Sequence, residues 1–280
     1  METNNEIKEM VRQKYGAIAE QSKEQSRSSC CGSTCGCSSP TVEFTVMAED
    51  YSRLPGYAPD ADLALGCGLP TAFAQIKKGD TVVDLGSGAG NDCFVARSET
   101  GDTGRVIGVD MTEAMIARAR QNAAKLGYTN VEFRLGDIEH LPVDEGTADV
   151  VVSNCVMNLV PDKARAFGET YRILKPGGHF SISDIVLKGE LPEGVRREAS
   201  LYAGCIAGAV QKEEYLRVIR EAGFTGMIIQ KERKIDVPEE ILAKYLTPEQ
   251  LQQIKDAHVG IFSVTVFAER PTKRETGARP

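Results

Sequence analysis

Cysteine is the residue type with the widest chemical scope in this sequence, and its distribution is uneven. The eight cysteines lie at positions 30, 31, 35, 37, 67, 93, 155 and 205. The first four fall in the Ser- and Gly-rich segment SSCCGSTCGCSSP. Thiols can bind soft metals, exchange disulfides or simply fill a core. From its composition alone, this segment could be a metal site, a disulfide knot or a flexible thiol tail.

A glycine-rich loop, VVDLGSGAGNDCF, follows an apolar run and predicts a ligand-binding turn. Glycine lets the backbone turn tightly and lets a ligand approach the peptide groups. The dinucleotide-binding pattern G-x-G-x-x-G/A is not met, because its last position is Asn91. Asp84 would also repel a pyrophosphate, whereas it would attract the amino and sulfonium groups of S-adenosylmethionine. A tight turn without a ligand is the alternative for the loop taken alone.

Acidic residues after the next strands extend the case for S-adenosylmethionine. Asp110 ends RVIGVD, where a carboxylate can accept from both ribose hydroxyls, and Met111 can pack on the adenine. GDIEHLP places Asp137 and Ile138 where the adenine edge would lie. Any one of these acids could instead be a turn or cap residue. The candidate cofactor-binding residues are Asp84, Gly86, Ser87, Gly88, Gly90, Asn91, Asp110, Met111, Asp137, Ile138 and Asn154.

The elements that must position these residues alternate between strand and helix. Apolar runs predict strands over 81–85, 105–110, 131–135, 148–154 and 179–186. Helices are predicted after the glycine loop, over 112–126 and over 161–174. This alternation predicts an α/β fold with a doubly wound, mostly parallel sheet, whose ligands bind at the carboxyl ends of the strands. The continuous apolar run of the fourth strand fits burial on both faces.

The flanking parts of the chain are less regular. An N-terminal helix over 7–19 precedes the Cys-rich segment. A helix over 211–222, strands over 228–235 and 261–268, and a helix start at Thr247 suggest that the C-terminal part completes the sheet and covers the site. We therefore expect three regions. They are an N-terminal helix with a flexible Cys-rich segment (1–60), a cofactor-binding domain (61–187) and a C-terminal substrate-binding region of α+β character (188–280).

Composition narrows the possible partners and location. The net charge of −7 and the isoelectric point near 5.2 argue against nucleic acid and anionic membranes as partners. No apolar run reaches the roughly 20 residues of a membrane helix, and no signal peptide is visible. We expect a cytoplasmic protein with reduced thiols.

The isolated cysteines differ in their surroundings. Cys155 lies at the carboxyl end of the fourth predicted strand, which is functional space in this architecture. Cys67 and Cys205 have glycine neighbours that allow close approach of a bulky atom. For each of these cysteines taken alone, the sequence supports a structural role and a functional role equally. Cys93 is expected to be a small buried residue.

Several of these stretches resemble the arsenite S-adenosylmethionine methyltransferases. The similar stretches are DLGSGAGNDCF, GVDMT, SNCVMNLVPDK, YRILKPGG and FSISDI, and the resemblance runs from about Asp62 to Ala268. It implies a Rossmann-like class I methyltransferase fold with S-adenosylmethionine as cofactor and no permanent metal. It also implies that Cys67, Cys155 and Cys205 bind arsenic and that an N-terminal cysteine takes part in redox cycling.

Among the N-terminal cysteines we favour Cys30 or Cys31 as this redox partner, with Cys35 and Cys37 as spare thiols for metalloid capture. The family usually has one or two cysteines in this segment, so the four found here depart from its pattern. Trivalent arsenic is soft and prefers thiolates, and its lone pair can attack a sulfonium methyl without a strong base. Methyl transfer oxidises arsenic by two electrons, which a cysteine pair can return by forming a disulfide. Thioredoxin or glutathione would then restore the thiols.

Two other functions remain as alternatives. A methyltransferase for a carbon, oxygen or nitrogen acceptor would share the loop but need a base, and His140, His179 and His258 are interpreted as structural or surface residues. A soft-metal binding protein could use CCGSTCGC, although the segment lacks the paired C-x2-C arms of structural zinc sites. That second alternative leaves the glycine loop and the acids unexplained.

Overall fold

The computed structural model describes residues 4–20, 47–190, 208–236 and 259–272. Several predicted features lie outside these ranges. They are the Cys-rich segment with Cys30 and Cys31, Cys205, His258 and the helix start at Thr247.

A seven-stranded sheet forms the centre of the described chain. Its strands are β1 (Thr81–Leu85), β2 (Arg105–Asp110), β3 (Val131–Leu135), β4 (Ala148–Asn154), β5 (Leu174–Lys188), β6 (Thr225–Ile235) and β7 (Gly260–Glu269). The order is β3-β2-β1-β4-β5-β7-β6, in which β1 to β5 are parallel and β7 is antiparallel to both neighbours. The predicted doubly wound, mostly parallel sheet is confirmed.

Helices cover both faces of this sheet. They are α1 (Asn4–Glu20), α2 (Pro70–Phe73), α3 (Asn91–Thr100), α4 (Glu113–Leu126), α5 (Lys163–Ile173) and α6 (Lys212–Glu221), with a 3-10 turn over Met157–Leu159. Each predicted helix within the described ranges is present, with ends shifted by up to three residues.

Two of the shifted helix ends have local causes. The helix predicted from Pro161 begins at Lys163, because the Asp162 side chain accepts from the Arg165 backbone N–H and caps it. Thr112 occupies the N-cap position of α4 but makes no capping hydrogen bond with its side chain. The Asp110 carboxylate accepts from the Thr112 backbone N–H instead. Gly127 ends α4 in the left-handed conformation, as predicted.

The core lies on both sides of the parallel strands. Along β4, Val151 faces a cluster that contains Phe167 of α5, whereas Val150 and Val152 face a cluster that contains Phe94 of α3. All three valines are fully buried, so the expected burial on both faces is confirmed. Helix packing on both faces of the sheet positions the carboxyl ends of β1, β2 and β4. The site is built on those ends.

Candidate active site

A pocket opens where β1, β2 and β4 end, and it collects most of the residues predicted to bind a cofactor. The predicted residues in its lining are Asp84, Gly86, Ser87, Gly88, Asn91, Asp110, Met111, Asp137, Ile138, Asn154 and Cys155. Gly90 is the exception. A Cβ atom there would lie 2.9 Å from ring atoms of both Phe133 and Phe94, so Gly90 serves packing behind the loop.

The glycine loop is held in shape by backbone hydrogen bonds. Gly86 and Ser87 both donate through their backbone N–H groups to the Val109 carbonyl, at 2.8 and 3.0 Å. Asp110 accepts from the Gly88 N–H at 3.0 Å and from the Thr112 N–H at 2.8 Å. Gly88 has a φ of +51°, and a Cβ there would meet nothing within 4 Å, so its backbone faces open space. The loop therefore leaves room for a ligand directly above β1.

Two polar atoms of this loop lack hydrogen-bond partners within the described part of the chain. Ser87 Oγ and Asn91 Oδ1 are buried and unpaired there. Buried polar atoms without partners are costly, so each needs a ligand or a water molecule. Both residues line the pocket. An amino-acid-like ligand with its own donors and acceptors would satisfy them.

The pocket is also acidic. Burial raises the pKa of Asp84 well above its usual value, and the neighbouring Asp92 raises it further. Burial raises the pKa of Asp92 to about 6, although the hydrogen bonds that this carboxylate accepts from Tyr51, Asn154 and Thr71 lower it. Burial likewise raises the pKa of Asp110. Crowded carboxylates favour a positively charged ligand and oppose a pyrophosphate, which agrees with the choice of cofactor made from Asp84.

Cys155, which lines this pocket, shares a buried cluster with Cys67. Both are buried, at 3% and 0% exposure, and both pack in one apolar cluster with Met47, Ile185 and Ile261. Cys155 has a φ of +62°, and its backbone N–H donates to the Ser183 carbonyl at 2.7 Å. A left-handed conformation costs a residue with a side chain on the order of 1 kcal/mol or more and is concentrated at functional sites. The structure thus brings together two of the three cysteines predicted to bind arsenic.

Comparisons with known proteins agree with this geometry. Residues 76–223 match the model of a family described as "Methyltransferase domain". An arsenite methyltransferase from Halobacterium salinarum is 45% identical over 234 residues, which cover 80% of this chain and 59% of that protein. Another, from Aquipseudomonas alcaligenes, is 34% identical over 245 residues, which cover 85% of this chain and 68% of that protein. The chain belongs to the arsenite methyltransferase family.

Solved structures place this family member on the expected fold. CrArsM, an arsenic(III) S-adenosylmethionine methyltransferase from Chlamydomonas reinhardtii, matches with a TM-score of 0.60 and 34% identity over 75% of this chain and 68% of that one. The YcgJ protein of a Bacillus species matches with a TM-score of 0.60 over 73% of this chain and 97% of its own, at 19% identity. The predicted Rossmann-like class I methyltransferase fold is confirmed. The chain spans 59% of the length of its Halobacterium relative.

In this member of the arsenite methyltransferase family, α1 also contributes to the pocket. Lys8, Val11 and Tyr15 line it from one face of the helix. Lys8 Nζ donates to Asp137 Oδ2 and Glu139 Oε2, each at 2.6 Å. Burial alone would raise the pKa of Asp137, but the hydrogen bonds that it accepts from Lys8 and from the Glu139 backbone N–H, together with the Lys8 charge, outweigh burial and lower the pKa. The sequence predicted the helix and did not predict these contacts.

The remaining predictions for single residues have clear outcomes. Cys93 is buried as expected, and its thiol donates to Asp84 at 3.2 Å. Burial and the Asp84 charge raise the pKa of Cys93, so the thiol stays protonated and unreactive. His179 stacks on Phe267 and contacts the Ala74 carbonyl, which confirms a structural role. Among the described residues, no three His, Cys, Asp or Glu side chains are grouped to hold a metal ion.

Proposed function

We propose that this protein transfers a methyl group from S-adenosylmethionine to trivalent arsenic bound by cysteine thiolates. The observation that supports it most directly is the burial of Cys67 and Cys155 in one cluster, with Cys155 also lining the acidic pocket. A soft acceptor and a cationic donor would therefore occupy adjoining spaces. The resemblance of the chain to arsenite methyltransferases supports the same activity.

The pocket residues suit S-adenosylmethionine in three ways. When bound, this cofactor supplies an electrophilic methyl group on a positively charged sulfur. Asp84 and Asp92 would stabilise its cationic groups, and Asp110 would accept from its ribose hydroxyls. The unpaired Ser87 Oγ and Asn91 Oδ1 offer polar contacts at the start of α3. Met111 and Ile138 supply apolar surface for the adenine.

The acceptor site in this proposal consists of Cys67, Cys155 and Cys205. Arsenite binding replaces three As–OH bonds with three As–S bonds, and each departing hydroxide takes a thiol proton to leave as water. The bound arsenic then keeps one lone pair and has no proton to lose, so no general base is required. Catalysis comes mainly from positioning, which can contribute roughly 7–11 kcal/mol when reactants are well oriented.

The redox part of the proposal concerns the N-terminal thiols. Methyl transfer raises the formal oxidation state of arsenic by two. An N-terminal thiol then loses its one proton and attacks the arsenic-bound sulfur of Cys67, so that a disulfide forms while the As–S bond breaks and its electron pair returns to arsenic. We assign this role to Cys67 with Cys30 or Cys31, and the reduction of that disulfide to thioredoxin or glutathione. The support is the Cys-rich composition of the segment and the family resemblance.

The regions expected from the sequence keep their roles in this proposal. Residues 1–60 would supply redox thiols, 61–187 would bind the cofactor, and 188–280 would complete the sheet and contribute Cys205. A cytoplasmic location suits the chemistry, because reductants there keep thiols reduced.

The test is a product assay with the purified protein. With arsenite, S-adenosylmethionine and a thiol reductant, we expect methylarsenicals and an equal amount of S-adenosylhomocysteine. Arsenite binding by mass spectrometry should show one arsenic per chain, and Cys93→Ala is the matched control because Cys93 belongs to a different core cluster. A protein that binds the cofactor and forms neither product would refute the proposal.

A further inference from the structure

Asn154 lies at the end of β4, immediately before Cys155, and its side chain reaches the turn that carries Cys67. Its Oδ1 atom accepts from the backbone N–H of Cys67 at 3.0 Å and of Gly68 at 3.3 Å. Its Nδ2 atom donates to the Gly68 carbonyl at 2.8 Å. One amide therefore satisfies three backbone groups of the turn. Asn154 joins Cys155 through the chain and Cys67 through hydrogen bonds.

The turn is packed so closely on this amide that larger residues would displace it. A Cβ atom at Gly66 would lie 2.5 Å from Asn154 Nδ2, and one at Gly68 would lie 2.5 Å from Ser183 Oγ. Real Cβ atoms essentially never approach so closely. The Ser263 hydroxyl donates to the Cys67 carbonyl at 2.6 Å from the other side. The position of Cys67 therefore depends on the position of the Asn154 side chain.

Two further residues determine how Asn154 is oriented. Its Nδ2 donates to the Tyr51 hydroxyl at 2.5 Å and lies 3.3 Å from Asp92 Oδ2. The Tyr51 hydroxyl lies 2.9 Å from both carboxylate oxygens of Asp92 and donates to them, and it also lies 3.2 Å from the Gly68 carbonyl of the Cys67 turn. Burial and the Asp92 charge raise the pKa of Tyr51 well above its usual value, so the hydroxyl keeps its proton. The acceptors thus face Nδ2, and Oδ1 faces the donors of the Cys67 turn.

Asp92 and Tyr51 also belong to the cofactor pocket. Both line it, and Asp92 sits in the first turn of α3, directly after the glycine loop. Thr71 of α2 gives Asp92 a further hydrogen bond at 3.3 Å. A short chain of side chains therefore runs from the cofactor loop to the thiol turn.

We propose that Tyr51 and Asp92 are positioning residues for methyl transfer, which act through Asn154, and in the case of Tyr51 also through the Gly68 carbonyl, to hold the Cys67 thiol against the cofactor pocket. The proposal rests on the role assigned above to Cys67. The three side chains fix the distance between the methyl donor and the arsenic acceptor. A loosened turn lowers the fraction of molecules in the reactive geometry, and this lowers kcat.

The first test measures Cys67 directly, without arsenic. The full-length, reduced protein is treated with iodoacetamide, and the alkylation rates of Cys67 and Cys93 are followed by peptide mass spectrometry. Both thiols are buried, so each reacts only when its surroundings open. We expect Tyr51→Phe and Asn154→Asp to raise the Cys67 rate about tenfold or more while the Cys93 rate stays within about twofold. The proposal is overturned if neither alkylation rate rises in the two variants. It is also overturned if both rates rise equally, because an equal rise indicates general destabilisation.

The second test uses a donor–acceptor exchange. Asn154→Asp removes the donor and places two carboxylates together, and Asp92→Asn places two amides together. The double variant Asp92→Asn with Asn154→Asp restores one donor–acceptor pair and the original charge. We expect each single variant to lower kcat at least tenfold at saturating S-adenosylmethionine, and we expect Asn154→Asp to change the KM for S-adenosylmethionine less than it changes kcat. We expect the double variant to recover part of that kcat.

The outcomes separate this proposal from the proposed function. If the wild-type protein forms no methylarsenical, the proposed function fails and the alkylation ratios still decide whether the network holds Cys67. If the wild-type protein is active and the double variant is no better than the worse single variant, the network does not position Cys67. Additive losses across the four proteins would indicate independent roles and would also contradict the proposal.

Discussion

The acidic pocket makes a quantitative prediction about pH and cofactor affinity. Asp92 has a pKa of about 6 because it is buried, and it lies in the lining of the pocket beside Asp84. A cationic ligand favours the ionised carboxylate and lowers this pKa. Binding therefore releases a proton near pH 6, and affinity falls as pH falls through the pKa of the ligand-free protein.

The size of the effect follows from that pKa. With a value of 6, the ionised fraction of Asp92 falls from roughly nine-tenths at pH 7 to roughly one-tenth at pH 5. If only the ionised form binds the cation, the dissociation constant rises about tenfold over this range. The pKa values of Asp84 and Asp110 are also raised, so the total loss should be at least as large.

Isothermal titration with S-adenosylmethionine between pH 5 and pH 7 measures this loss. Buffers of different ionisation enthalpy give the number of protons released on binding. Asp92→Asn should bind more weakly at pH 7 and should lose about tenfold less affinity than wild type between pH 7 and pH 5. Equal pH dependence in the two proteins, or an affinity that does not change with pH in wild type, would refute the reasoning.

Two further predictions follow from α1 and from the glycine loop. Lys8→Met removes the cation that holds Asp137 and Glu139 while it keeps most of the apolar side chain. Because Asp137 then loses its fixed position in the pocket lining, we expect cofactor affinity to fall about three- to tenfold, as measured by the same titration. An unchanged affinity would show that α1 does not contribute to binding. Gly90→Ala combines a φ of +99° with a close approach to Phe133 and Phe94, and urea unfolding should show a loss of about 2 kcal/mol or more. Gly146→Ala is the control, because its φ is +64° and a Cβ there meets nothing within 4 Å, so it should lose only about 1 kcal/mol. Equal losses in the two glycine variants would contradict the packing argument.

Patterns local in sequence predicted the elements of this fold well. Alternation of apolar strands with helices gave β1 to β5 in their observed positions, and Gly127 marked the end of α4. The strand predicted over 179–186 is longer, because the chain enters β5 at Leu174, directly after α5. The additional residues of β5 are strand because they pair with β4 and β7. These partner strands are distant in sequence, so a local pattern does not predict the pairing.

The candidate site was partly predictable for the same reason. Asp84, Asp110 and Cys155 follow or end strands, so their place at one edge of the sheet follows from topology. Tyr51 and Lys8 lie in segments with no motif, and tertiary packing alone brings them to the pocket. Asp92 was visible as an acid in the first turn of a helix, which is common enough to carry no functional signal.

In the proposed reaction, Cys155 presents arsenic to the cofactor pocket. A single-turnover reaction with methyl-labelled S-adenosylmethionine and arsenite measures this role, with Cys155→Ser compared with wild type at equal cofactor occupancy. We predict labelled monomethylarsenical from the wild-type protein and a rate at least a hundredfold lower from Cys155→Ser, on the order of what loss of reactant positioning costs. A Cys155→Ser protein that forms the labelled product at the wild-type rate would show that Cys155 does not present the arsenic.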